Sequence, residues 1–189
     1  MLKRSVVEHT LEAALETGAD FAELYVERTK RNQIGMANGI VETALGGMDY
    51  GAGIRLFCGS RVIYAFCNDT SEPTLVRLAR DMAATVKGSR LQMLSRWQEN
   101  GRQNINPIAI LPDGVAKNRK AERLAAASAA ATAYDRRITQ TRAGFLDVTQ
   151  VVLVANSEGV WAEDKRVRSR FSIEAIASSA NEKQSGHLG

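Results

Sequence analysis

Cysteine, histidine and proline are scarce in this sequence of 189 residues, at two, two and three respectively, and aromatic residues make up only 6%. Each shortage closes off a class of protein. Cys58 and Cys67 form no CxxC pair and bracket what reads as a tight hairpin, so neither a disulfide framework nor a four-cysteine zinc site is available. Two free, packed thiols in a reducing compartment are expected instead. His9 and His187 lie at opposite ends of the sequence, and neither belongs to a helix or loop spacing that presets a metal site. Both read as solvated histidines. There is no G-x-S-x-G elbow and no histidine placed to serve a serine nucleophile, which excludes a hydrolase triad by pattern. No catalytic residue and no metal ligand is assigned in this chain.

Long hydrophobic runs are missing too. The longest nearly apolar stretch, residues 124–134, is well short of the ~20 residues that cross a bilayer, so no membrane span is expected. The start carries Lys3 and Arg4, but Glu8, His9, Glu12 and Glu16 interrupt the segment where a signal peptide needs an unbroken apolar region. Export is not expected, and the location that follows is cytoplasmic.

What is present is ordinary globular material: 44% apolar and 24% charged residues, far from the signature of disorder. The net charge of +4 is modest, and the pI of about 9.3 comes with acidic and basic residues interleaved along most of the chain. A nucleic-acid groove would need a spatial cluster that composition does not supply, so nucleic acid ranks last among partners.

Residues 5–17 place Val7, Leu11, Ala14 and Leu15 on one helical face, with Glu8, Glu12 and Glu16 on the solvated side and Gly18 as the stop. Residues 21–28 then alternate as a strand, with Ala22, Leu24 and Val26 on one side. Asn38-Gly39 favours the positive φ of a type I′ turn and predicts a hairpin into residues 40–43. A second hairpin pairs residues 52–57 with 62–66 around Gly59-Ser60, making four strands. The glycines at 46, 47, 51 and 53 lack the lysine and following helix of a P-loop and are read as hairpin geometry. Ser71 and Pro73 open a second helix whose buried stripe is Leu75, Leu78, Ala79, Met82 and Val86.

Residues 89–117 lose periodicity and hold the turn signals Asn100-Gly101, Asn106-Pro107 and Pro112-Asp113-Gly114. An alanine-rich helix follows over residues 118–134. Strand patterns resume at 137–145, 151–155, 160–163 and 167–176, with a turn at Asn156-Ser157-Glu158-Gly159. The tail from Ser178 is small and polar and offers no element to close the sheet. The expected fold class is α+β: two helix-plus-antiparallel-sheet units joined by a linker, at residues 1–88, 89–117 and 118–189. Arg166, Arg168 and Arg170 alternate along the last strand and share one face. A phosphate or an acidic peptide is one use for such a row; a solvated face balanced by carboxylates such as Glu163 and Asp164 is the commoner one.

The segment that begins Gly51-Ala-Gly-Ile-Arg-Leu-Phe-Cys-Gly-Ser-Arg and runs to Asp69, followed by a helix, resembles the start of TldD/PmbA proteins. Val151-Val-Leu-Val-Ala-Asn-Ser-Glu-Gly-Val, Arg166-Val-Arg-Ser-Arg-Phe-Ser-Ile-Glu-Ala and Glu182-Lys-Gln-Ser-Gly resemble the family's second region, nearer to its TldD branch. These are fold-defining patterns. The resemblance implies a cytosolic zinc-dependent peptidase that acts on unfolded or flexible peptides and works as a pair of TldD-like and TldE-like subunits. The family has also carried the label of a modulator of DNA gyrase. Its zinc motif, HExxxH, has two metal-binding histidines and a glutamate suited to general-base work, and it does not occur between Met1 and Gly189. The resemblance therefore implies a non-catalytic N-terminal portion, truncated before the zinc site, with no cofactor of its own and zinc only in the full-length protein. The expected partners are a TldD/TldE-like subunit or a second copy, and unfolded peptide. Arg166, Arg168 and Arg170 are the candidate peptide or partner edge. The alternatives are a free-standing, non-enzymatic binding and dimerisation module of the same family and, third, a nucleic-acid-associated protein.

Overall fold

The computed structural model describes residues 1–86, 88, 94–99 and 107–189. Helix α1 (Arg4–Leu15) buries Val7, Leu11, Ala14 and Leu15, the face its spacing dictates, and the chain turns away at Gly18 with φ 92°. Strand β1 (Phe21–Ala37) returns as β2 (Ile40–Cys58) across Asn38 and Gly39, whose φ angles of 49° and 80° are the left-handed values that glycine adopts freely and asparagine tolerates. Strand β3 (Arg61–Cys67) pairs antiparallel with β2, from Ala52 opposite Cys67 to Cys58 opposite Arg61. Helix α2 (Glu72–Ala83) carries its proline in the first turn, where no amide hydrogen is needed. The remaining elements are β4 (Gln98–Glu99), a single 3-10 turn (Pro112–Gly114), α3 (Lys117–Tyr134), β5 (Ile138–Asn156), β6 (Val160–Ser178) and β7 (Lys183–Leu188).

The hydrogen-bonded strand order is β3-β2-β1-β5-β6-β4, with β7 also on β6. The β6–β7 pair is antiparallel and the short β4–β6 pair is parallel. Three helices set on mainly antiparallel strands make the fold α+β. Contacts divide the chain into two compact units. The first is residues 1–29, 150–165 and the described residues within 49–105; the second is residues 30–48, 166–189 and the described residues within 106–149. Strands β1, β2, β5 and β6 are 17 to 19 residues long, and each contributes one part to each unit.

In the first unit, α1 and α2 set Leu11, Ala14, Leu75 and Ala79 against Leu24, Val26, Ile54, Leu56 and Leu153, all fully buried or nearly so. Trp97, just before β4, meets Trp161 edge-on at 5.5 Å and donates its indole N–H to Glu8 at 2.8 Å. In the second unit, the apolar core is Ile34, Met36, Leu124 and Ala143, with Phe145 and Ile173 beside it. Helix α3 buries Lys120, Leu124 and Ser128, a stripe at four-residue spacing in which two of the three side chains are polar.

The structure differs from the sequence reading in three places. Residues 40–58 are one strand, so the first four predicted strands are three, and the glycines from 46 to 53 lie within it rather than at a hairpin. Residues 40–49 are exposed and so lack a buried alternate set, while a Cβ at Gly51 would meet the Cys67 carbonyl oxygen at 2.9 Å, a close approach of β3 that only glycine allows. Likewise, 137–145 and 151–155 fall in one strand, β5, and 160–163 and 167–176 in one strand, β6. Asp147 disguised the first continuity, because a carboxylate at a buried strand position breaks the apolar pattern. The third difference is the tail, which forms β7 and covers β6 from Ile173 to Ser178. Within the region read as a linker, residues 89–93 and 100–106, including the Asn100-Gly101 turn and Asn106, lie outside the described residues.

Candidate functional site

The second unit has a trough of about 360 Å³ on one face of its strands. Gly35 of β1 and Gly144 of β5 keep its floor at backbone level; a Cβ on Gly144 would stand 3.2 Å from the Ser172 hydroxyl, and one on Gly35 would collide with the Thr43 hydroxyl at 2.6 Å. Arg142, Arg170, Glu42 and Glu174 line the trough with mixed charge, and His187 of β7 stands opposite Glu174 in the β6–β7 register.

Beside the trough runs an incomplete strand edge. Strand β7 covers β6 only from Ile173 onward, and among the described residues no strand pairs with residues 167–172 on that side. Main-chain N–H and C=O groups on such an edge are a template for another strand. Arg166, Arg168 and Arg170 are exposed along it. Arg170 reaches the trough, whereas Arg166 and Arg168 line neither it nor the cleft under α3 described below. Ser169 and Phe171 point to the other face, towards α3, as strand alternation requires. Gly35, Arg142, Gly144, Glu174 and His187 were not singled out from the sequence for this site. They come from four strands and carry no shared motif, so only the period-two alternation of each strand hinted at their common face.

Further groups with acid–base potential lie in the first unit. His9 Nδ1 is 2.5 Å from Glu72 Oε1 on the outside of α1 and α2. That hydrogen bond, aided by the charges of Glu72, Glu12 and Glu8, raises the imidazole above its ordinary range. Among the described residues, no serine or cysteine nucleophile shares its hydrogen bond. Cys58 and Cys67 are free thiols that the hairpin register sets at opposite ends of the β2–β3 pair. Burial, then the carboxylate of Asp69, pushes the Cys67 thiol up, the reverse of an activated thiolate.

No three His, Cys, Asp or Glu side chains among the described residues are grouped to hold a metal ion. The described residues therefore do not fit a zinc site. No helix among the described residues is long and apolar enough to cross a membrane.

This α+β arrangement is shared with solved structures. A protein described as a modulator of DNA gyrase from Bacteroides thetaiotaomicron superposes with a TM-score of 0.78 at 15% identity, over 99% of this chain and 45% of that one. TldE from Thermococcus kodakarensis gives a TM-score of 0.68 at 15% identity, over 94% and 40%. At such identities the likeness is one of fold. Sequence comparison carries further: residues 22–101 match the PmbA/TldA metallopeptidase domain 1, and residues 110–189 match the PmbA/TldA metallopeptidase central domain. The chain is made of metallopeptidase-family domains, and it belongs to the PmbA/TldD family. The metalloprotease TldD homolog of Haemophilus influenzae is 25% identical over 175 residues, which are 90% of this chain and 36% of the relative. The chain thus spans about a third of the length of that curated relative.

Proposed function

We propose that this chain is the N-terminal, non-catalytic portion of a TldD-like zinc-dependent peptidase, and that it holds unfolded or flexible peptide in extended form for a zinc site encoded elsewhere in the full-length protein. The observation that carries the reading is the open edge of β6 at residues 167–172 beside the trough. A strand added there would be held by main-chain hydrogen bonds, which bind with little regard to sequence. Arg166, Arg168 and Arg170 would favour acidic stretches of the bound chain. Family membership and the metalloprotease name of a relative that is about two and a half times as long support the same reading. A cytoplasmic location and a TldE-like partner subunit belong to this proposal.

Amide hydrogen exchange on the chain, with an unstructured peptide at saturating concentration, tests it. Slowed exchange at alternate residues within 167–172 is expected. Unchanged exchange there overturns the strand-addition reading.

A second reading, a free-standing module that pairs with another copy, is favoured by a different feature. On β3, at the end of the strand order, Val62, Tyr64 and Phe66 are 54%, 62% and 72% exposed. Edge strands with such a row are usually covered. A chain that sediments as a monomer at high micromolar concentration would remove this reading.

A further inference from the structure

The face of the second unit that carries α3 has a cleft of its own, about 340 Å³ in volume. This is at the small end of the range of ~300–1,000 Å³ usual for ligand pockets. Its walls are Ile110, Pro112, Val115, Phe145 and Phe171. Two of these stay open to solvent, Ile110 at 72% and Phe171 at 38% exposure. The polar lining is of one sign. Arg119, Lys120 and Arg123 of α3 contribute three cations, Ser169 contributes a hydroxyl, and no carboxylate lines the cleft.

The three cations are not equivalent. Lys120 is buried, donates to Asp147 at 2.6 Å and lies 5.2 Å from the centre of the Phe145 ring, so its charge is answered within the protein. Arg119 and Arg123 are exposed, one helical turn apart on the same stripe, and neither makes an ion pair with a carboxylate among the described residues. Two guanidinium forks thus stand over an apolar slot near the start of an 18-residue helix.

We propose that this cleft binds a carboxylate carried on an apolar body. The apolar walls disfavour bare phosphate or a polar backbone, which would desolvate them without covering them. The one-signed rim disfavours amines. An alkyl or aryl group in the slot would shield Ile110, Phe145 and Phe171, while its carboxylate accepts charge-assisted hydrogen bonds from Arg119 and Arg123. The same chemistry is offered by a free fatty or aromatic acid and by the C-terminal residue of a peptide with a large apolar side chain. The cleft lies on the face opposite Arg170, so the assignment does not depend on the peptide edge of β6.

The test is a titration of the 189-residue chain with the anionic dye anilinonaphthalene sulfonate, followed by displacement with octanoate, with neutral octanol, and with an acetylated tripeptide ending in phenylalanine as free acid or amide. Saturable dye binding displaced by octanoate and not by octanol is expected. It should weaken about tenfold in the double variant Arg119→Gln/Arg123→Gln, the scale of losing charge-assisted hydrogen bonds. Both positions are exposed, and an unchanged circular dichroism spectrum would show that the fold is retained. Displacement by the tripeptide acid and not its amide assigns the site to peptide C-termini; displacement by octanoate alone assigns it to free acids. Absence of saturable binding, equal displacement by octanol, or undiminished binding in the double variant overturns the proposal.

Discussion

The two compact units attach helix to strand with different materials. Among the described residues, the first buries eighteen apolar residues in one cluster and the second buries four, so the second holds α3 by other means. It uses polar pairs. Lys120 of α3 bonds Asp147 of β5 at 2.6 Å, and Asn32 of β1 donates to the other oxygen of the same carboxylate at 2.8 Å. About two helical turns further along the same stripe, Ser128 and Thr141 share a hydrogen bond of 2.5 Å, and the Thr141 amide donates to the Asn38 side chain at 2.9 Å. Apolar contact is non-directional and tolerates small shifts; a paired buried charge fixes which residue of the helix faces which residue of the strand. The second unit thus gains register at the cost of dependence on single partners.

That contrast is most easily broken at Asp147. Replacing it by alanine leaves the Lys120 ammonium buried without a counter-charge, and a loss of about 3–5 kcal/mol is expected in denaturant unfolding. The double replacement Lys120→Met/Asp147→Leu removes both charges and is expected to recover most of that loss. A cost below ~1 kcal/mol for Asp147→Ala would mean that the pair does not anchor α3, and the comparison would fail. The counterpart in the first unit is Leu24→Ala, which empties space in a fully apolar cluster and should cost about 3 kcal/mol. No second substitution of opposite polarity should rescue it, because nothing directional was lost.

The same contrast explains what was legible in the sequence. In the first unit the apolar faces of α1 and α2 and the alternation of Ala22, Leu24 and Val26 state their own geometry; in the second, Asn38-Gly39 states its turn. Where burial is polar, the pattern misleads. Asp147 and Thr141 sit at buried positions of β5 because α3 brings Lys120 and Ser128 to them, and a partner distant in sequence leaves no local mark. The basic row on β6 was readable from alternation alone. The trough beside it was not, since Gly35, Arg142 and His187 are neighbours only through strand order. The cleft of Arg119 and Arg123 was hidden for the same reason: its apolar walls come from the 3-10 turn and the residues flanking it, β5 and β6.

The smallest expected effect sharpens the comparison from the other side, since in the first unit the ionic contacts of α1 with α2, His9–Glu72 and Glu16–Arg80, lie on the surface. His9 of α1 and Glu72 of α2 are 54% and 44% exposed, and solvent screens their attraction. The groups facing the imidazole are Glu72, Glu12 and Glu8, all acidic, and the hydrogen bond to Glu72 is the leading reason its pKa is raised. A group whose folded pKa exceeds its unfolded value of about 6.5 stabilises fully below that value and ceases to do so as pH rises through the folded pKa. The thermal midpoint of Glu72→Gln should therefore fall slightly below that of the parent at pH 5.5 and match it at pH 9. The His9 ring protons should titrate above the ordinary histidine range in the parent and return towards it in the variant. A Glu72→Gln penalty that is the same at both pH values would assign the His9–Glu72 contact to neutral hydrogen bonding, with no pH-dependent part.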